Sequence, residues 1–161
     1  MKVINGYYKI YNFFHIKLFD LLYGKKFRHG KIVCRRNLSI LIEKNGMLSI
    51  GTGCFFNNDC SITSLNKIVI GNNTLFGENV KIYDHNYHIN TKDLIKRSGH
   101  VCGEVIIGDN CWIGSNSVIL KGASIGNNCV IGAGCIINNK IDDNMLVIND
   151  NSLKVIPLDR K

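Results

Sequence analysis

IGDNCWIGSNSVILKGASIGNNCVIGAGCI, residues 107–136, places an isoleucine at every sixth position: Ile107, Ile113, Ile119, Ile125 and Ile131, continued by Ile137. Gly follows the isoleucine in four of these hexads (Gly108, Gly114, Gly126, Gly132), and the fifth residue is small: Cys111, Ser117, Ala123, Cys129 and Cys135. A period of six matches neither the helical repeat nor the two-residue alternation of an isolated amphipathic strand. It matches a solenoid of short parallel strands, in which each hexad is one face of a coil and three hexads close a triangular turn of about 18 residues. One large apolar side chain per hexad points inward and stacks on its counterpart one coil away, leaving room beside it only for a small side chain. The Gly after each Ile is expected to permit a turn conformation that a Cβ would make costly.

The phase extends upstream. Ile50, Phe56 and Ile62 are in register, with Cys54 and Cys60 at the fifth position. Two extra residues follow, and the pattern resumes at Ile70, Phe76 and Ile82, with Thr74 and Val80 as the small residues. The step from Ile82 to Ile107 is 25 residues, four hexads plus one, so a loop is expected between 83 and 106. Ile32 and Leu38 keep the phase but Lys44 does not, so 31–49 read as irregular first coils.

A length of 161 residues fits one domain. Its divisions are an amphipathic helical segment, 1–30, and a solenoid, 31–161, with the inserted loop 83–106. In residues 3–23, Lys2, Asn5, Lys9, Asn12 and Asp20 mark a narrow polar stripe at helical spacing, and Tyr, Phe, Ile and Leu cover the rest. Such a helix packs on the first coil or a neighbouring subunit, or lies in a membrane interface; packing is the expectation. The sequence shows no run of 18 apolar residues, the length a membrane span requires, and no secretory signal. Five of the seven Cys occupy the small fifth position, where Cys acts as a compact hydrophobe, and with no CxxC pair reduced thiols are expected. The net charge of +8 is drawn from both ends: Lys2, Lys9, Lys17, Lys25, Lys26 and Arg28 near the start, and Lys154, Arg160 and Lys161 at the finish. Without a nucleic-acid-binding motif, this charge suits an anionic membrane surface or a phosphate-bearing cofactor better than nucleic acid.

The loop opens IYDHNYHIN, residues 82–90, with two His within four residues beside Asp84 and Asn86. Imidazole is the natural general base near neutral pH, and inserted loops commonly carry function. His15, His29 and His100 lack such a context and are read as incidental.

Together the hexads, over about residues 32–156, resemble the hexapeptide-repeat acyltransferases, and the loop resembles their galactoside- and maltose-acetyltransferase branch. The resemblance implies an all-β, left-handed parallel β-helix, although generic crossover rules favour the opposite hand. It implies a catalytic His in the loop, 24 residues ahead of a Trp. Counting back from Trp112, the single Trp, gives His88. His88 is therefore the expected base, with His85 second and Asp84 as a residue that orients the imidazole or shapes the loop. Asn57, 13 residues before Ile70, is the expected acceptor contact, with Tyr87 a further one. The resemblance further implies acetyl-CoA as donor, bound between subunits of a homotrimer by Trp112, Ser115, Ala133 and Lys154, with no metal. The segment Asn149-Asp150-Asn151-Ser152 departs from the Gly-x-Pro-Ala-like sequence of relatives before the final basic strand.

The expected activity is acetyl-CoA-dependent O-acetylation of a sugar or saccharide hydroxyl, in cell-surface polysaccharide biosynthesis, in the cytoplasm or at the inner face of the membrane. Two alternatives stand beside it: N-acetylation of a nucleotide amino sugar, and a structural solenoid with a degenerate site. The γ-type carbonic anhydrases share the fold but need three zinc-binding His with an H-x4-H pair. This chain has His85-x2-His88 and no third His in a coil.

Overall fold

The computed structural model describes residues 2–89, 94 and 99–149. Helix α1 (Lys2–Tyr23) precedes strands of two to four residues that stack into three sheets. All pairings within those sheets are parallel, and the chain visits the sheets in rotation. The architecture is a left-handed parallel β-helix of about six turns, capped by one helix.

The register makes the sequence period physical. On the first face Ile50, Ile70, Ile107 and Ile125 are successive partners. On the second the column is Cys34, Phe56, Phe76, Ile113, Ile131, and on the third Ile40, Ile62, Ile82, Ile119, Ile137. All of these are buried, and Phe56 and Phe76 stack with ring centroids 4.5 Å apart and 3° between planes. Each coil buries its inner surface only against the next, so the core is a continuous stack. At about 25 cal/mol per Å² of apolar area, this stacking is the main stabilising term.

The coordinates refine the sequence reading at three points. First, the glycines after the isoleucines do not carry the turn. The positive φ falls two residues later, at Asn73, Asn79, Asn110, Asn116 and Asn128, with φ between 54° and 61°. Asn tolerates this region because its short amide bonds locally. Here those amides also bond coil to coil, Asn79 Nδ2 to Asn116 Oδ1 and Asn110 Nδ2 to Asn128 Oδ1, both at 2.9 Å. The Gly is required by close approach: a Cβ on Gly114 would lie 2.5 Å from the Ala133 backbone nitrogen. Second, the first coil is long but paired along all three faces. Cys34, not Ile32, pairs with Phe56, and Ser39 opposite Ser61 sets Leu38 level with Cys60. The first two coils contain more residues than three hexads, and that excess shifted the count by two. The first strand is Phe27–His29, paired with Leu48–Ile50. Third, the insertion is framed by its own antiparallel hairpin, His85–Tyr87 with His100–Cys102.

Six of the seven cysteines are buried and Cys102 is exposed. The fifth-position thiols donate to the coil above, for example Cys54 Sγ to Gly71 O at 3.0 Å and Cys111 Sγ to Gly126 O at 3.1 Å. Burial raises the pKa of Cys54, Cys60 and Cys111, and pushes Cys34 up to about 11. A raised folded-state pKa means that the stabilising contribution is complete below the unfolded-state value and is lost as pH rises through the folded-state value. For Cys34 stability is therefore expected to fall between about pH 9 and 11, by up to about 1.4 kcal/mol per pH unit, and the other raised thiols act in the same direction. Thermal unfolding at pH 8 and pH 10.5 measures this, and Cys34→Ala should flatten part of the slope.

Candidate active site

The loop leaves the third face just after Tyr83, and the first residue beyond that strand anchors it. Asp84 is fully buried. Its carboxylate accepts from Ser64 Oγ at 2.9 Å, Leu65 N at 2.8 Å and Asn66 N at 2.8 Å, all from the corner of the preceding coil. The same carboxylate lies 3.2 Å from His85 Nδ1. A buried acidic group is stable only with such a donor set. Asp84 therefore fastens the base of the hairpin and holds the imidazole of His85, the neighbour rather than His88.

Strand alternation puts His85 and Tyr87 on one face of the hairpin. Across from them, Cys102 is in register with His85 and His100 with Tyr87. The His100 ring centroid lies 5.3 Å from that of His85 and 4.8 Å from that of Tyr87. These four side chains, with Leu41, Glu43 and Thr63 of the coils, line a cleft of about 540 Å³. The place of His100 is not legible along the chain, because only the antiparallel register brings it beside His85. His88 sits beyond the paired segment, exposed, with its backbone N–H donating to Gly99 O at 3.1 Å. The two candidate bases thus occupy different surroundings: His85 is packed on Asp84 inside the cleft, and His88 is at the outer end of the hairpin.

The remaining candidates lie on another edge. Trp112 is 57% exposed on the outside of the second face. Ser115 turns the corner three residues later, and Ala133 turns the same corner one coil on. Ser115 Oγ accepts from Glu78 N at 3.1 Å, and Ser115 O from Gly134 N at 2.9 Å. Asn57 shares this corner lower in the stack. Its Oδ1 accepts from Asn58 N at 2.9 Å and from Arg35 Nη1 at 3.3 Å, so it serves the turn. Within one chain the hairpin and the Trp112 corner lie at opposite edges of the third face. Lys154 lies outside the described residues. Among the described residues, no group of three His, Cys, Asp or Glu is placed to hold a metal ion.

A bacterial transferase hexapeptide (six repeats) family model matches residues 104–139. The coordinates are similar to a maltose O-acetyltransferase from Clostridium difficile, at TM-score 0.68 and 29% identity over 82% of this chain and 70% of that one. They are also similar to a hexapeptide-repeat acetyltransferase from Vibrio cholerae complexed with acetyl-CoA, at TM-score 0.67 and 25% identity over 81% and 69% of the two chains. In sequence, a provisionally named acetyltransferase of Schizosaccharomyces pombe is 35% identical over 99 residues, 61% of this chain and 47% of that protein. The chain spans less than half the length of the curated relatives it matches. By these likenesses and the coil register, the chain is similar to the hexapeptide-repeat transferases.

Proposed function

We propose that the protein is an acetyl-CoA-dependent O-acetyltransferase acting on a sugar or saccharide hydroxyl, with its site completed between subunits of a homotrimer. The observation that carries this reading is the division of the candidate residues between two edges of the solenoid. A His-bearing hairpin stands on one edge, and Trp112, Ser115 and Ala133 stand on the other. Side-by-side packing of two solenoids brings the hairpin of one toward the Trp112 edge of its neighbour. The outward column of the second face supports such packing: Val33, Phe55, Leu75, Trp112, Val130 and Leu146 are in register and all apolar. A sheet face of this composition is suited to burial.

In the groove so formed, the indole of Trp112 supplies a large rigid contact for the pantetheine arm, and the flush corner at Ser115 and Ala133 leaves it room. Lys154 is placed by the resemblance at the nucleotide phosphates. Asn57 and Tyr87 contact the acceptor. His88 removes the proton from the acceptor hydroxyl as that oxygen attacks the thioester carbonyl. The tetrahedral intermediate collapses with loss of the CoA thiolate, which takes the proton from His88. Holding both substrates in one cleft supplies much of the remaining acceleration. Asp84 acts by positioning.

A second assignment of the base, His85, is favoured by one contact, the 3.2 Å approach of Asp84 to its Nδ1. A carboxylate behind an imidazole orients it and stabilises its protonated form. The acceptor is read as part of a cell-surface polysaccharide, and the place of action as the cytoplasm or the inner face of the membrane.

The test is an acceptor screen with acetyl-CoA, read by free-thiol release, over neutral saccharides and nucleotide amino sugars. Thiol release with saccharides is expected. Release only with amino sugars would give the N-acetyltransferase instead. Acetyl-CoA at about 100 times its Kd should stabilise the fold by about 2.7 kcal/mol in thermal unfolding. No thermal shift and no thiol release together would leave only a structural solenoid.

A further inference from the structure

Helix α1 (Lys2–Tyr23) faces the solenoid with its more polar side. Asn12 Oδ1 accepts from Cys34 N at 2.7 Å, Asp20 Oδ1 lies 3.0 Å from His29 Nε2, and Tyr23 donates to Ile40 O at 2.8 Å. Ile16 and Phe19 are buried between these contacts, covering the open end of the first coil. The sequence stripe containing Asn12 and Asp20 is therefore turned inward. What the helix presents outward is apolar: Phe13 at 59% exposure, Phe14 at 67%, Leu18, Leu21 at 83% and Leu22 at 61%. At 100° per residue, Phe14, Leu18, Leu21 and Leu22 fall on one side, with Ile10 among them and the Phe13 position at its margin. This arrangement reverses that of an ordinary surface helix.

The charge distribution indicates what covers that face. Residues 1–42 hold nine of the chain's 20 Lys and Arg and one of its 12 Asp and Glu. That leaves 11 of each sign in residues 43–161, so the formal excess of +8 resides in the first quarter of the chain and not at both ends, the basic residues at 154–161 being offset by acidic ones elsewhere. Lys17 lies at the margin of the apolar side, and Lys25, Lys26 and Arg28 follow directly on its C-terminal end. Cations adjoining an apolar side match an anionic surface with an apolar interior. No helix among the described residues is long and apolar enough to cross a membrane.

We propose that helix α1 is a docking device for an anionic membrane surface. It lies in the interface, with Phe14, Leu18, Leu21 and Leu22 in the acyl boundary and the adjoining Lys and Arg on the headgroups. Apolar burial and headgroup attraction add, so both are required for firm binding. The solenoid axis then stands off the surface, because the opposite side of the helix closes its end. This inference is independent of the chemistry assigned to the hairpin.

The test is co-sedimentation of the full chain with phosphatidylcholine–phosphatidylglycerol vesicles and with phosphatidylcholine vesicles alone. The protein should pellet with the anionic vesicles and be released by high salt. Phe14→Glu with Leu21→Glu, and separately Lys25→Glu with Lys26→Glu, should each weaken partitioning by about tenfold or more. Phe14, Leu21 and Lys25 are exposed, Lys26 gives up one exposed bond to Glu43 O, and thermal unfolding checks that each variant remains folded. Failure of the wild-type chain to pellet, or unchanged partitioning of the charge-reversed variant, would overturn the proposal. So would self-association that Phe14→Glu with Leu21→Glu abolishes without any vesicle binding, since the face would then be a contact between copies.

Discussion

His88→Ala is expected to lower kcat by about 10²–10⁴-fold, with little change in the KM for acetyl-CoA, because a general base acts on the reacting proton and not on cofactor affinity. His85→Ala provides the contrast. If His88 is the base, loss of His85 removes a neighbour in the cleft and costs less than His88→Ala. If His85 is the base, the order reverses, and His88→Ala retains near-wild-type turnover. Single-turnover measurement with saturating acetyl-CoA reads the chemical step directly. The exposed position of His88 fits a site finished by another subunit. The packed position of His85 against Asp84 fits a base already oriented within its own chain.

Asp84→Ala should have the largest effect on stability. It strips acceptors from Ser64 Oγ, Leu65 N and Asn66 N in a place without solvent around the carboxylate itself. Charged hydrogen bonds of this kind contribute about 1.5–3 kcal/mol each, and water replaces part of the loss at the half-exposed backbone donors, so the net cost is about 3 kcal/mol. For a chain of this size that corresponds to roughly 6–12 °C in Tm. Asp84→Asn keeps the shape but turns an amide N–H toward a donor, and should cost less. A purely structural Asp84 would lower Tm in both variants and leave kcat of the folded fraction unchanged. A positioning Asp84 also lowers kcat at temperatures well below the transition. Unchanged Tm in Asp84→Ala would contradict the anchoring role.

The residues whose roles were readable in advance share one property: they repeat. Ile107, Ile113 and Ile119 could be assigned to the core without coordinates, as could the five small-position Cys, because each coil imposes the same inward vector on the same hexad position. The rule also carried a readable but unused signal. The fourth hexad position is Asn or Gly almost throughout, and it is this residue, not the Gly after the Ile, that enters the left-handed region. Where the period lapses, counting fails. The long first coil displaced Ile32 and Leu38 by two residues, and nothing in the linear pattern placed His100 against His85.

By itself, then, the sequence determined a solenoid, its inward ladder, the position of its interruption and a short list of residues able to do acid–base chemistry. Those follow from local periodicity, since each inward position is set by neighbours six residues and one coil away. Only the tertiary structure decided that Asp84 serves His85 and the corner at 64–66, and that Trp112 stands on a different edge from the hairpin. It alone showed that helix α1 turns Asn12 and Asp20 inward and its leucines out. These are contacts between segments far apart in the chain, chosen by donor geometry and by which surfaces remain to be covered, and no period along the chain encodes them.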